Sequence, residues 1–302
     1  MPLCRRSFLA ALAAFAALAL PPARLAAQPV PQVVDYPLFE TPPATHRLAQ
    51  TDLRIDGLGY RIFTACPLGQ PPAAGWPSLW MLDGNAAFSR LNAADLAAHP
   101  GLAVVGIGYP VDTAVDARAR SRDYTPPVAQ WPEGDPAQRR PTGGDAAFRA
   151  RLLGPIAGAV AQGMPLDPAA RTLWGHSYGG LFVLGTLFAT PEAFRAYVAV
   201  SPSTHFGGGA LAGAEARARA RTGAPARLLI QLGDREYRRG TEAPATPRPA
   251  PQTMELAERL ARRADLVLEL EVFEGLGHGA TFAASFPRAF AVAQDGDQPP
   301  VP

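Results

Sequence analysis

The sequence predicts an α/β fold: a mostly parallel central sheet with helices on both faces and an N-terminal antiparallel hairpin. Three observations point there. Short, mostly apolar runs alternate with helix-like stretches, as expected of strands buried on both faces. The first two extended segments instead alternate apolar and polar residues about a glycine-rich turn, which reads as a hairpin. No G-x-G-x-x-G follows the first parallel strand, which argues against a dinucleotide-binding version of this layering.

Residues 1–27 stand apart from that domain. Arg5 and Arg6 precede thirteen uncharged, Ala- and Leu-rich residues from Phe8 to Leu20, and Pro21-Pro22 closes the run. A membrane span needs about 20 apolar residues, so this run suits a signal peptide better. Arg5-Arg6-Ser7-Phe8-Leu9 is similar to a twin-arginine export signal, and Ala26-Ala27 offers a cleavage point. Cys4 lies ahead of the apolar run and is badly placed for a lipid anchor. The expected organisation is a signal peptide over 1–27 and a single α/β domain over 28–302, with a disordered tail after residue 293. Stable membrane insertion after signal cleavage is not expected.

Within the domain, the proline-punctuated segment from Val30 to Thr45 reads as an extended arm. The hairpin comprises Asp52 to Asp56 and Tyr60 to Thr64 around Gly57 and Gly59. Buried strands are predicted at 79–82, 102–107, 172–174, 197–200, 228–232 and 266–273, and helices at 86–97, 145–161, 181–190, 211–221 and 254–263. Two stretches break the pattern. Residues 111–144 lack apolar periodicity, and residues 235–251 are rich in Arg and Pro; long loops of this kind tend to bind ligands or wander over the surface.

Composition narrows the chemistry. All 28 basic residues among the 302 are arginine. Without lysine, Schiff-base chemistry, pyridoxal-phosphate attachment and a Walker-type phosphate loop are excluded. At 48% hydrophobic and 18% charged residues, the chain is globular in type. Loss of 1–27 removes three arginines and no acids, leaving 25 arginines against 26 acids. Such a balance gives no reason to expect a nucleic-acid partner. Only Cys66 then remains, so no internal disulfide can form. The five histidines (His46, His99, His176, His205 and His278) show no ligand spacing, so no metal is expected, and no cofactor is called for.

The catalytic signal is Gly175-His176-Ser177-Tyr178-Gly179, a G-x-S-x-G pattern between a predicted strand and a small-residue helix start. That turn exposes the serine hydroxyl, and helix amides beside it favour developing negative charge. Ser177 is the candidate nucleophile. A serine hydroxyl needs a base, and in this chain order the base follows the last strand; His278, in Gly275-Leu276-Gly277-His278-Gly279, occupies that place. His176 is expected to point away from the nucleophile. The oxyanion donors are expected to be the backbone amides of Tyr178 and Asn85, the latter after Gly84. Asp83 and Asn85 can also be read as a simple turn and helix cap.

Met81-Leu82-Asp83-Gly84-Asn85, Arg122-Asp123-Tyr124-Thr125-Pro126, Gly175 to Gly180, Ser201-Pro202-Ser203 and Gly277-His278-Gly279 occur in that order. Together they resemble the putative-esterase family of α/β-hydrolases, and within it the periplasmic enterobactin (siderophore) trilactone esterases. The resemblance spans about residues 33–290. It implies ester hydrolysis with Ser177 and His278 as the working pair. For the third member, Asp234 and Glu236 both follow the strand at 228–232. Gly-x-x-Glu at this place resembles the family pattern and favours Glu236, while a generic hydrolase reading uses Asp234. Members of the siderophore branch also work as a serine–histidine dyad.

Arg122 is the candidate substrate-binding residue, since a guanidinium can bind carboxylate or phenolate oxygens of an anionic catecholate. An internal ion pair with Asp123 is the alternative, as is a solvated surface charge for Arg120 and Arg122. The leading expectation is an exported, periplasmic or secreted serine esterase forming an acyl-enzyme on Ser177, with a small-molecule ester, such as a siderophore trilactone, as its partner. Acyl transfer, hydrolysis of carbohydrate or feruloyl esters, and a non-catalytic secreted binding protein are the alternatives.

Overall fold

The apolar runs assemble into one sheet whose strand order reverses beside the candidate nucleophile. The computed structural model describes residues 33–237 and 246–294. Its strands are β1 (His46–Ile55), β2 (Leu58–Pro67), β3 (Trp76–Leu82), β4 (Ala103–Gly108), β5 (Leu166–His176), β6 (Ala196–Val200), β7 (Ala226–Gly233) and β8 (Leu266–Phe273). They lie in the order β1-β2-β4-β3-β5-β6-β7-β8. The pairs β1–β2 and β2–β4 are antiparallel and every later pairing is parallel. The signal-like segment 1–27, residues 238–245 of the Arg/Pro loop and the tail from 295 lie outside the described residues.

Both faces of the inner strands are covered, which is why those strands read as continuous apolar runs. Trp80 and Leu82 of β3 pack into one core with Phe148, Phe182 and Leu256, while Leu79 and Met81 face a second core with Phe88, Phe286 and Phe290. From β3 the chain moves to β4 on one side; from β5 it moves to β6 on the other. The carboxyl ends of β3 and β5 therefore flank a topological switch point, where open α/β sheets place their ligands.

The elements depart from the sequence expectation at identifiable residues. The stretch predicted as a helix over 86–97 is two helices, Gly84–Phe88 and Ala93–Ala97, because Asn92 leaves the helical region and starts a capping box with Asp95. The predicted arm contains a helical turn at Pro37–Glu40, with proline at its start. The aperiodic 111–144 segment contains a helix at Ala117–Tyr124, capped by the Asp116 carboxylate. Its buried residues are Ser121, Asp123 and Tyr124 rather than aliphatics, so apolar periodicity could not reveal it. The helix from Asp145 continues through Pro155 by a single wider turn at Leu152–Ile156 and ends at Gly163. Among the described residues, no helix is long and apolar enough to cross a membrane.

Candidate active site

β5 delivers Ser177 into a strained turn. Ser177 has φ 61° and ψ −115°, and the helix Tyr178–Ala189 begins at the next residue. Positive φ costs a non-glycine residue about 1–3 kcal/mol and persists only where the surroundings fix it. Four described non-glycine residues adopt it, namely Asp56, Asp83, Ser177 and Ser201. The last three belong to the turns that follow β3, β5 and β6. Gly175 makes the turn possible, since a Cβ there would come within 2.5 Å of the Gly179 backbone.

The loop after β8 returns His278 to this turn. His278 Nε2 lies 3.0 Å from Ser177 Oγ and accepts its hydroxyl proton. On the other side of the ring, Nδ1 lies 3.1 Å from Glu236 Oε2. A carboxylate there fixes the tautomer with the proton on Nδ1 and leaves Nε2 free as a base. Glu236 is itself held through Oε1, which accepts from the Gly233 amide at 2.6 Å and the Ser201 hydroxyl at 2.5 Å. Burial pushes its carboxyl up, but the hydrogen bonds from His278, Gly233 and Ser201 outweigh this and hold it below the usual carboxylate range. Asp234 does different work: its Oδ1 accepts from the Gly275 amide at 2.8 Å, bracing the histidine loop. Of the two acids open in the sequence, Glu236 is the one that meets the imidazole.

The two expected oxyanion amides sit at helix starts on opposite sides of the switch point. Gly84 and Asn85 open the short helix after β3, and Tyr178 opens the helix after β5. Amides at these positions have no intrahelical acceptor and present partial positive charge. The Asn85 side chain is committed elsewhere. It accepts from the Tyr109 amide at 2.9 Å and donates to the Tyr109 and Val111 carbonyls at 3.0 and 3.1 Å, tying the β3 turn to the end of β4.

His176 supplies what local sequence did not suggest. Its ring reaches beneath the histidine loop, where Nε2–H donates to the His278 carbonyl at 2.7 Å. Thr281 Oγ1 donates to the same carbonyl at 2.8 Å. Burial, with the His278 ring alongside, drives the His176 pKa from 6.5 down to about 3. The folded protein therefore keeps His176 neutral while the unfolded chain protonates it, so stability present above pH 6.5 is lost as pH falls toward 3. This one group is expected to contribute a slope of about 1.4 kcal/mol per pH unit across that window. Urea unfolding between pH 4 and pH 7 should show a shallower acid slope for His176→Gln than for wild type; parallel slopes would refute it.

The arginines divide. Arg120 forks onto the buried Asp83 carboxylate at 2.8 Å for both bonds and lies 5.2 Å from the Tyr178 ring centroid. Arg122 instead forks onto Asp123, with bonds of 2.7 and 2.9 Å. The internal ion pair weighed for Arg122 in the sequence is the one that forms. Asp123 also accepts from the Tyr60 and Tyr109 hydroxyls, both at 3.2 Å. Arg120, not Arg122, is the arginine that reaches the Ser177 turn, donating to the His176 carbonyl at 3.4 Å.

Comparison with known proteins gives a consistent picture. A family model described as putative esterase matches residues 60–292. The chain is similar to an apo-salmochelin esterase of Escherichia coli O6:H1, 40% identical over 155 residues that cover 49% of this chain and 48% of the relative. It is also similar to a ferri-bacillibactin esterase, BesA, of Bacillus subtilis, 35% identical over 166 residues, 51% of this chain and 56% of the relative. The chain thus aligns with about half the length of these curated relatives. Among solved structures, the enterobactin hydrolase IroE in complex with DFP superposes with a TM-score of 0.70 at 29% identity, covering 85% of this chain and 99% of that one.

Proposed function

The chain belongs to the putative-esterase family, and from that premise we propose that it hydrolyses carboxylic esters through an acyl-enzyme on Ser177, with siderophore esters as the substrate class. One observation carries the mechanism: the hydrogen-bonded series from Ser177 Oγ through His278 to Glu236, at 3.0 and 3.1 Å. Ser177 Oγ attacks the ester carbonyl while His278 Nε2 takes its proton and Glu236 stabilises the imidazolium. The Tyr178 and Asn85 amides receive the oxyanion. On collapse, His278 returns the proton to the departing alkoxide, leaving an acyl group on Ser177. Water, deprotonated by the same imidazole, then releases the acid and restores the serine. The His278 side chain, 46% exposed, is open to that water. Similarity to an apo-salmochelin esterase and a ferri-bacillibactin esterase supports the substrate class. Export rests on the N-terminal Arg-Arg and apolar run.

A hydrolysis panel of p-nitrophenyl, feruloyl, acetyl-sugar and tricatecholate trilactone esters tests the reading. Trilactone cleavage is expected to have the highest kcat/KM. Turnover of the other esters with none of the trilactone would remove the siderophore assignment and keep the esterase.

Two substitutions separate the roles around the base. Glu236→Gln is expected to lower kcat by up to about 10⁴, because the imidazole loses its tautomer and its counter-charge. Asp234→Asn keeps an acceptor for Gly275 and should cost less than about tenfold. Equal, small losses in both, with unchanged melting, would favour a serine–histidine dyad. Arg122→Ala leaves buried Asp123 without its cation and is expected to destabilise the fold by about 3 kcal/mol, lowering Tm. Neutral and anionic esters should then suffer alike; a loss confined to anionic esters would make Arg122 a substrate contact.

A further inference from the structure

Ser201-Pro202-Ser203, the turn that follows β6, touches the catalytic series without making or breaking a bond in it. Its backbone grips the nucleophile from both sides. The Ser177 amide donates to the Val200 carbonyl at 2.9 Å, and the Ser203 amide donates to the Ser177 carbonyl at 3.2 Å. Gly180, in the nucleophile helix, lies flush against the turn; a Cβ there would stand 2.8 Å from the Val200 oxygen and 3.1 Å from Pro202 Cα. Neither segment can shift without the other.

Two buried hydroxyls leave this turn for different ends of the same hydrogen-bonded series. Ser203 Oγ lies 3.4 Å from Ser177 Oγ. Ser177 gives its own proton to His278, so Ser203 is the donor. The contact is longer than an ordinary O–H···O bond, as hydrogen bonds in resting catalytic sites often are. Ser201 Oγ donates to Glu236 Oε1 at 2.5 Å and meets Thr281 Oγ1 at 2.7 Å. Its backbone is held at φ 44°, a conformation serine adopts only under constraint. Oε1 of Glu236 is thereby pinned by Ser201 and Gly233, which aims Oε2 at the imidazole.

We propose that the Ser201-Pro202-Ser203 turn is a positioning element for both ends of the Ser177–His278–Glu236 series, Ser201 orienting the acid and Ser203 the nucleophilic oxygen. The proposal rests on the ester-hydrolase reading, and its test therefore uses a reagent that needs only an activated serine. Full-length protein is treated with a fluorophosphonate, and the rate of Ser177 phosphonylation is followed by intact mass against pH.

Ser203→Ala is expected to react about tenfold more slowly, the scale of one lost hydrogen bond, and Ser203→Thr to regain most of the rate. Ser201→Gly accepts φ 44° without strain and so isolates the hydroxyl. It is expected to react about tenfold more slowly, with the acid limb of its pH profile moved to higher pH, because a carboxylate that has lost a donor holds the His278 proton more strongly. A purely structural turn would lower the melting temperature and leave that limb in place. Wild-type rates in both variants, no recovery in Ser203→Thr, or an unmoved limb in Ser201→Gly would each overturn the proposal. Absence of any adduct on wild-type Ser177 would overturn the ester-hydrolase reading itself, and the positioning role with it.

Discussion

Ser177→Ala is expected to abolish ester turnover, lowering kcat by about 10⁶ while leaving KM close to its wild-type value. The substitution deletes the atom that would bond to the acyl carbon and leaves the other side chains of the site in place. Residual acceleration over water would come from the Tyr178 and Asn85 amides and from binding alone. Alanine inherits the strained backbone at φ 61°. It gives up only the side-chain contacts to His278 and Ser203, so melting should change little. Steady-state kinetics at saturating ester and a thermal melt suffice. A loss of under about a hundredfold in correctly folded protein would mean that Ser177 is not the nucleophile.

His278→Ala is expected to cost nearly as much, again about 10⁶, because an unassisted serine hydroxyl is a weak nucleophile at neutral pH. The double variant should be no worse than either single, since groups that act as one unit cannot be lost twice. Exposure of the imidazole means that the fold does not depend on it; the loop is held through the His278 backbone carbonyl by His176 and Thr281. Retention of more than about one per cent of kcat would assign the proton transfer to another group.

Particular residues show what the sequence could reveal. β8 was legible to its last residue because Leu266–Phe273 is a continuous apolar-rich run bounded by turn residues. The turn at Ser177 was legible because a strand, glycines and a small-residue helix stand in one short segment. His278 followed from chain order, just beyond the last strand, whereas beyond β7 chain order left Asp234 and Glu236 both open and only the resemblance favoured Glu236. The rest required tertiary neighbours. Arg120 and Arg122 lie two residues apart on one helix and so face different directions, whereas Arg120 and Tyr124, four apart, share a face. Without an apolar stripe on Ala117–Tyr124, nothing in the sequence fixes which face turns inward. The contacts of His176 were not legible because its partners, His278 and Thr281, are about a hundred residues distant. Ser201 and Ser203 gain their contacts only because β6 lies between β5 and β7, whose ends carry Ser177 and Glu236.

The proposed chemistry turns on a nucleophilic Ser177 activated by His278. Its most direct test is peptide mass mapping after stoichiometric treatment with a fluorophosphonate, with ester turnover followed in the same sample. The expected result is a single phosphonyl adduct on the peptide that carries Ser177, rising in step with the loss of turnover and absent from Ser177→Ala. Full turnover in completely labelled protein, or complete inhibition with the label on a different residue, would contradict it.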